Sequence, residues 1–240
     1  ADGYTLLLAA SNLWLQPFLT PNVPWDPVKD FAPITLATTS PLIVVVHPSL
    51  PVNSVKELIA LAKARPGALN YGSGNNASSS HLGPELFKSM AGVDIVRVPY
   101  KGAGPAVVGL AANQVQMMIA SAGSTSALVK AGKLKALAIT AARPSELVPD
   151  LPTLAASGVP GYEFAQTLGL LAPAKISPAL IARLNQVFGA VLKQPDVKQK
   201  LFAAGVEPAG NTPEEFAALI KYDMTMLGKV IKDAGIREEP

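Results

Sequence analysis

The chain has 240 residues, of which 49% are hydrophobic and 15% are charged, so it is long and apolar enough to bury a sizeable core. Its net charge of +3 comes from 20 scattered Lys and Arg residues, and no basic run interleaves with aromatics, which argues against nucleic acid as a partner. The lack of cysteine excludes disulfides and thiolate metal sites, and the longest apolar runs, such as PLIVVV at 41–46, are too short to embed the chain in a bilayer.

Short apolar runs alternate with helical patterns over the first two thirds of the chain. This alternation predicts a largely parallel sheet with helices on both faces. The predicted strands are 5–10, 34–37, 42–47, 69–72, 95–98, 115–120, 134–140 and 164–172. The predicted helices are 55–65, 82–90, 105–112 and 125–130, followed by a helical tail at 177–192, 196–205 and 212–235.

Local capping residues mark several helix starts. Ser54 with Glu57 three residues later forms a capping box, and Gly67 is expected to end that helix. Ser177 and Thr212 each precede a proline, which is the usual pairing of an N-cap with proline at the first helical position. Asp196 is predicted to cap the middle tail helix. The Trp- and Pro-rich segment 12–31 is predicted to be a connection.

The stretch YGSGNNASSSHL at 71–82 joins a predicted strand to a predicted helix. Its Gly72, Gly74 and Ala77 match G-x-G-x-x-[G/A], the pattern of a dinucleotide-binding turn. That fold also needs an acidic residue at the end of the next strand. Asp94 has the right separation but opens the strand, so a nucleotide cofactor is not expected.

Catalytic and metal-binding interpretations have little support in the sequence. The chain contains no G-x-S-x-G nucleophile elbow, and its two histidines, His47 and His81, belong to no cluster of ligands at metal spacing. We therefore predict no catalytic residue, no metal and no cofactor, and we interpret both histidines as structural or surface residues.

Two interpretations of the serine-rich loop remain open. Backbone N–H groups at a helix N-terminus, with serine hydroxyls beside them, bind a carboxylate without a cationic side chain. Serine and asparagine also favour ordinary capped turns. Pro84 constrains the geometry, since a helix that starts near Ser78 would contain it and be kinked.

Four segments together resemble the receptors of tripartite tricarboxylate transporters, the TctC or Bug family of periplasmic solute-binding proteins. They are GYTLLL, the long run from YGSGNN to YKGAGPAV, the run from AGKLKALAIT to GVPGYE, and NTPEEFAALI. The resemblance covers essentially all 240 residues.

The resemblance implies an α/β, two-lobed periplasmic-binding-protein-like fold of type II, with mostly parallel sheets flanked by helices and a helical C-terminal tail. Lobe one would comprise 1–45 plus 166–240 and lobe two 46–165, with crossovers at 42–47 and 164–172. The implied function is to capture a small organic anion and deliver it to the permease subunits of a tripartite tricarboxylate transporter. The implied location is the periplasm, although no signal-peptide pattern opens this sequence.

The resemblance also assigns ligand-binding residues by position. In lobe two these are the serine-rich loop, the YKG turn and the residue after the strand 115–120; in lobe one they follow the first strand. Instead of binding the ligand, Tyr100 could be a packing residue, and Lys101 could be a solvated cation of the turn. The assigned residues are Ser73, Gly74, Asn75, Ser78, Ser79, Tyr100, Lys101, Gly102, Ser121, Ser11 and Asn12.

Two departures from the family pattern bear on function. Gln116 and Ala120 stand where the family commonly has aspartates, which favours a diacid or aromatic acid over an amino acid as ligand. Beside the family pattern, the sequence also looks like a member without its N-terminal quarter, about sixty residues or two β-α units. From this we expect an exposed or re-paired strand edge beside residues 5–10, prone to association. The alternatives to the receptor function are a truncated or repurposed member acting as a sensor or interaction module, or a nucleotide-binding α/β enzyme.

Overall fold

The computed structural model of the protein describes residues 3–237. Over this range strands and helices alternate before a helical tail. The strands are β1 (Leu7–Ala10), β2 (Phe31–Val46), β3 (Asn70–Ser73), β4 (Val96–Pro99), β5 (Met117–Ser121), β6 (Lys135–Ile139), β7 (Ala165–Pro173) and β8 (Glu207–Pro208). The helices are α1 (Asn12–Leu19), α2 (Val55–Ala64), α3 (Ser79–Ala91), α4 (Ala103–Ala111), α5 (Ala122–Lys130), α6 (Pro178–Leu192), α7 (Pro195–Ala203) and α8 (Pro213–Asp233).

Several local predictions differ from the structure. Residues 31–46 form one continuous strand where two were expected. The segment predicted to be a connection contains helix α1 with Pro17 inside it, and α1 buries Trp14. Asp196 does not cap α7, because the helix already begins at Pro195 and its N-cap is Gln194. By contrast, the hydroxyl of Thr212 caps α8 in a complete capping box.

The chain divides into two compact units, of which the first contains residues 3–40 and 166–237. Its sheet runs β1-β7-β2, with β8 also paired to β2. The pairs β1–β7 and β2–β8 are antiparallel, so the expected parallel character does not extend to them. Strand β1 forms an edge, and its Leu8 is 55% exposed. The expected strand edge is therefore present, while its tendency to associate stays a prediction.

Helices cover both faces of this first sheet. On one face Ile34 and Leu170 pack against partly buried side chains of α6. On the other, the ring of Trp14 meets that of Phe216 from α8 edge to face, with centroids 5.9 Å apart. The indole Nε1 of Trp14 donates to Asp223 at 2.9 Å, so the polar edge of this buried ring has a partner.

Replacing Gly169 with alanine should lower the free energy of unfolding by about 2 kcal/mol, as overpacking of a filled core does. A Cβ at this position would lie 2.6 Å from Cε1 of Phe216, whose ring is fully buried and has no room to move. Urea denaturation measures the change. The matched control is Gly189→Ala in α6, where a Cβ meets nothing within 4 Å and alanine should stabilise the helix slightly. Equal midpoints for Gly169→Ala and the native chain would contradict this packing.

The second unit contains residues 41–165. Its sheet has the order β4-β3-β5-β2-β6, in which β3 is parallel to both β4 and β5. Strand β2 runs antiparallel to its neighbours β5 and β6, so four of the five strands point the same way. A core of residues such as Leu110, Val115 and Met118 lies between this sheet and helices α4 and α5. None of the helices between residues 3 and 237 is both long and apolar enough to cross a membrane.

Candidate functional site

The carboxyl ends of β4, β3 and β5 lie side by side at one edge of the second unit's sheet. Each of these strands leads into a helix after a short turn: β3 into α3, β4 into α4 and β5 into α5. Three helix N-termini therefore meet at the same edge. Open α/β sheets place their ligands at this edge, outside the carboxyl ends of the strands.

These three helices all start without a side-chain cap. Their N-cap residues Ser78, Gly102 and Ser121 make no side-chain capping hydrogen bond. The side chains of Ser54 and Thr212, by contrast, do cap α2 and α8. Helices α1 and α7 of the first unit also start without a side-chain cap. Because the first N–H groups of a helix lack partners inside the helix, an uncapped start is suited to an anion.

Gly74 of the serine-rich loop packs against the YKG turn. A Cβ on Gly74 would lie 3.2 Å from both the carbonyl carbon of Gly102 and the amide nitrogen of Ala103. The loop after β3 therefore packs directly on the main chain that begins α4. Gly102 has φ 109°, a conformation that residues with a side chain rarely adopt. Glycine is needed at both positions of this contact.

The inner side of the loop holds itself together through its own polar groups. Ser73 is fully buried, and its hydroxyl donates to the carbonyl of Gly74 at 3.2 Å. The N–H of Gly74 donates to the hydroxyl of Ser80 at 2.9 Å, and Ser80 lies 3.1 Å from the hydroxyl of Ser78. Ser73 and Gly74 thus shape the loop from within. Asn75 is exposed, and Ser78 is partly exposed.

Ser79, the first residue of α3, is also partly exposed. Helix α3 contains Pro84, as a start near Ser78 requires. Gly83 next to this proline lies against the ring of Phe164, where a Cβ would be 3.1 Å from the nearest ring carbon. The carbonyl of Gly83 accepts a hydrogen bond of 2.8 Å from the hydroxyl of Tyr162. These contacts anchor the part of α3 around Pro84 in the core of the second unit.

Tyr100 and Lys101 of the YKG turn have different surroundings. The ring of Tyr100 packs closely against Gly109 and near Gly72, and its hydroxyl is 3.2 Å from Oε1 of Gln114. This placement is the one expected if Tyr100 is a packing residue. Lys101 is exposed, and within residues 3–237 its ammonium has no hydrogen-bond or ion-pair partner.

Ser121 and the first turn of α5 form a small hydroxyl cluster. The hydroxyl of Ser121 donates to that of Ser124 at 3.0 Å, and Ser124 in turn donates to the carbonyl of Ser121 at 2.8 Å. Gly123 lies between them and faces open space, since a Cβ there meets nothing within 4 Å. Ser11 and Asn12, the predicted residues of lobe one, lie at the start of α1 in the first unit.

His81 anchors the loop from the buried side. Its imidazole is 4% exposed, and its Nδ1 accepts the N–H of Ala77 at 3.2 Å. Ala77 has φ 57°, a left-handed conformation that costs energy in a residue with a side chain. Burial lowers the pKa of His81 to about 4, and the nearby charge of Arg97 acts in the same direction. A neutral imidazole is the form that accepts this hydrogen bond.

Arg97 on β4 is a residue at this site that the sequence analysis missed. Its guanidinium donates to the hydroxyl of Ser73, the side chain of Asn76 and the carbonyl of Gly74. A lone cation inside the otherwise apolar run 95–98 was the only indication in the sequence.

Gln116 and Ala120, which stand where the family commonly has aspartates, lie in different places in the structure. Gln116 precedes β5, and its Oε1 accepts the N–H of Asn70 at 2.9 Å, so it ties β5 to β3 at the amino end of both strands. Gln116 therefore lies at the opposite end of β5 from the helix N-termini, and the preference for a diacid or aromatic acid stays a prediction. Ala120 is in β5 beside the site, where its methyl group is buried in the core. Across residues 3–237 no group of three His, Cys, Asp or Glu side chains is placed to hold a metal ion.

Comparison with known proteins agrees with this architecture. BugT of Bordetella pertussis is 33% identical over 239 residues, covering 99% of this chain and 73% of BugT. The structure of Rpa4515 from R. palustris with adipate is 35% identical, with a TM-score of 0.77, and the match covers 99% of this chain and 80% of that one. MatC (Rpa3494) from Rhodopseudomonas palustris with bound malate is 28% identical, with a TM-score of 0.72, over 96% of this chain and 80% of that one.

These structural matches confirm the periplasmic-binding-protein-like α/β fold that the sequence predicted. The profile of the tripartite tricarboxylate transporter family receptors, TctC, matches residues 1–236. The chain therefore belongs to the TctC family of tripartite tricarboxylate transporter receptors.

Proposed function

We propose that this chain is a periplasmic receptor that binds a small organic acid and delivers it to the membrane subunits of a tripartite tricarboxylate transporter. No bond of the ligand is made or broken in this role. Family membership supports both the periplasmic location and the delivery step. The ligand class is a di- or tricarboxylate or an aromatic acid.

The meeting of three uncapped helix N-termini at one sheet edge is the observation that carries the proposal. A carboxylate is an acceptor only, so it matches an array of N–H and O–H donors. The positive ends of three helix dipoles favour negative charge at the same point. The contact between Gly74 and the start of α4 holds two of these N-termini at a constant spacing.

Residues at the surface of this edge would contact the ligand. We propose that the hydroxyls of Ser78 and Ser79 donate to one carboxylate, together with main-chain N–H groups of the first helical turns. The hydroxyl of Ser121, which donates to Ser124 in this structure, would turn to the same carboxylate when the ligand binds. Asn75 is exposed beside them and offers an amide. Lys101 beside this edge would attract the anion through its charge without a fixed contact, because its side chain is exposed to solvent.

Two relatives support a dicarboxylate as the first ligand to test. Rpa4515 was solved with adipate and MatC with malate, and both acids carry carboxylates at the two ends of a short carbon chain. We propose that this chain takes an acid of the same class. The seat in the second unit would hold one carboxylate, and Ser11 and Asn12 of the first unit stay predicted ligand-binding residues.

Isothermal titration calorimetry with adipate, malate, citrate and benzoate tests the proposal. At least one acid should bind with a dissociation constant in the micromolar range or below and should be recovered unchanged. Adipamide, which has the shape of adipate without its charges, should not bind. If none of the acids binds, or if adipamide binds as well as adipate, the proposed seat for a carboxylate is wrong.

A further inference from the structure

We propose that Arg97 is a positioning residue that clamps the serine-rich loop and places an unneutralised positive charge beneath the ligand seat. The effect on ligand affinity rests on the proposed function. The effect on the loop does not, because it concerns the protein without ligand.

The contacts of Arg97 span the whole first half of the loop. Its Nε donates to Oγ of Ser73 at 2.7 Å, its Nη2 to the carbonyl of Gly74 at 3.2 Å, and its Nη1 to Oδ1 of Asn76 at 2.6 Å. The guanidinium fork is planar and rigid, so three acceptors that match it are fixed relative to one another. By comparison, the hydroxyl of Ser80 bonds Gly74 and Ser78, and the imidazole of His81 bonds Ala77.

The charge of Arg97 has no direct counter-ion. Its three acceptors are a hydroxyl, an amide and a carbonyl, and no carboxylate within residues 3–237 forms an ion pair with it. The acidic group in the same region, Glu85, is bound to Lys88 at 2.8 Å and accepts the hydroxyl of Tyr71 at 2.6 Å. Because Arg97 is partly buried, its charge is screened less than that of an exposed cation such as Lys101.

These two roles can be separated by two substitutions. Arg97→Lys keeps the positive charge but replaces a rigid fork of five donors by one mobile ammonium group. Arg97→Gln removes the charge and also loses most of the fork. Arg65→Gln is the matched control, because Arg65 is exposed at the C-terminal end of α2, before β3 begins, at the opposite end of that strand from the loop.

Amide hydrogen exchange without ligand tests the clamp. In both Arg97 variants the amides of 74–80 should exchange at least about tenfold faster than in the native chain, since one charge-assisted hydrogen bond contributes a factor of this order. The Arg65→Gln control should show native protection there. Native protection of this segment in folded Arg97→Lys would overturn the clamp. If Arg97→Gln fails to fold, Arg97→Lys alone decides, since it keeps size and charge.

Titration of His81 by NMR tests the charge. The positive charge of Arg97 helps to hold the pKa of His81 low. Arg97→Gln should therefore raise this pKa, while Arg97→Lys should leave it near its native value. A purely structural role would not separate the two variants. An unchanged pKa in Arg97→Gln would show that the guanidinium charge is not felt at the loop.

Measuring the affinity for adipate tests whether the clamp by Arg97 affects ligand binding. We expect binding about tenfold weaker in Arg97→Lys and about a hundredfold weaker in Arg97→Gln, as one or two charge-assisted interactions are lost. Binding should also depend less on salt in Arg97→Gln than in the native chain. Native affinity in both variants would overturn the link. If the native chain itself binds no carboxylate, the proposed function fails, and the exchange and titration results still decide the clamp.

Discussion

Replacing Gly74 with valine should weaken carboxylate binding by about a hundredfold or more, the equivalent of losing two charge-assisted hydrogen bonds, or about 3 kcal/mol. The valine Cβ would lie 3.2 Å from the main chain of both Gly102 and Ala103, and its two methyl groups would need more room still. Main-chain atoms have no alternative rotamer to adopt. The loop must therefore move away from the start of α4, and the donors of α3 and α4 no longer converge on one point.

Calorimetry with the best-binding acid measures this loss, and circular dichroism with a thermal melt shows that the variant is folded. Gly189→Val is the matched control: it introduces the same side chain on α6, where a Cβ meets no neighbour within 4 Å, and it should bind like the native chain. A folded Gly74→Val variant with native affinity would show that the spacing of the two helix starts does not determine binding.

Acidification from pH 7 to pH 4 should destabilise the native chain through His81 by as much as about 3 kcal/mol, at about 1.4 kcal/mol for each unit of pKa change. Burial, together with the charge of Arg97, lowers its pKa from 6.5 to about 4 in the folded state. Between these two values the unfolded chain binds a proton that the folded chain does not. Stability is therefore complete above pH 6.5, falls as the pH drops toward 4, and changes no further through this group below that.

Urea denaturation at pH 7, 5 and 4 isolates this contribution when the native chain is compared with His81→Asn, which keeps an acceptor for the N–H of Ala77 but does not titrate. The variant should lose less stability on acidification. His47→Asn is the control, because His47 is the other histidine of the chain and is only partly buried beside Ser49. Identical pH dependence in the native chain and His81→Asn would contradict a neutral, buried His81.

Features set by neighbouring residues were predictable from the sequence. The caps at Ser54, Ser177 and Thr212 depend on residues within three positions, and each forms as expected. The serine-rich loop was placed between a strand and a helix because glycine, asparagine and serine disfavour both, but α3 begins at Ser79 and not at residue 82, so Ser79 and Ser80 belong to its first turn. The carboxyl-edge location of the loop followed from the alternation of strands and helices.

Features that depend on distant residues were not predictable in the same way. Helix α1 is stabilised by packing on α8, and the hydrogen bond from Trp14 joins it to Asp223, 209 positions away. The role of Arg97 depends on Ser73, which is 24 positions earlier and on the neighbouring strand. A charged residue between two valines indicates that something unusual is present, but only the pairing of β3 with β4 identifies its partners.

The contact between Gly74 and the start of α4 has a consequence for how such receptors diversify. Because main chain lies against main chain there, the geometry of the seat depends little on which side chains occupy the neighbouring surface positions. Asn75 and Lys101, which are exposed, can therefore be exchanged during evolution with little penalty to folding. If the proposed seat is correct, a few surface changes would alter which organic acid binds while the scaffold beneath them stays the same.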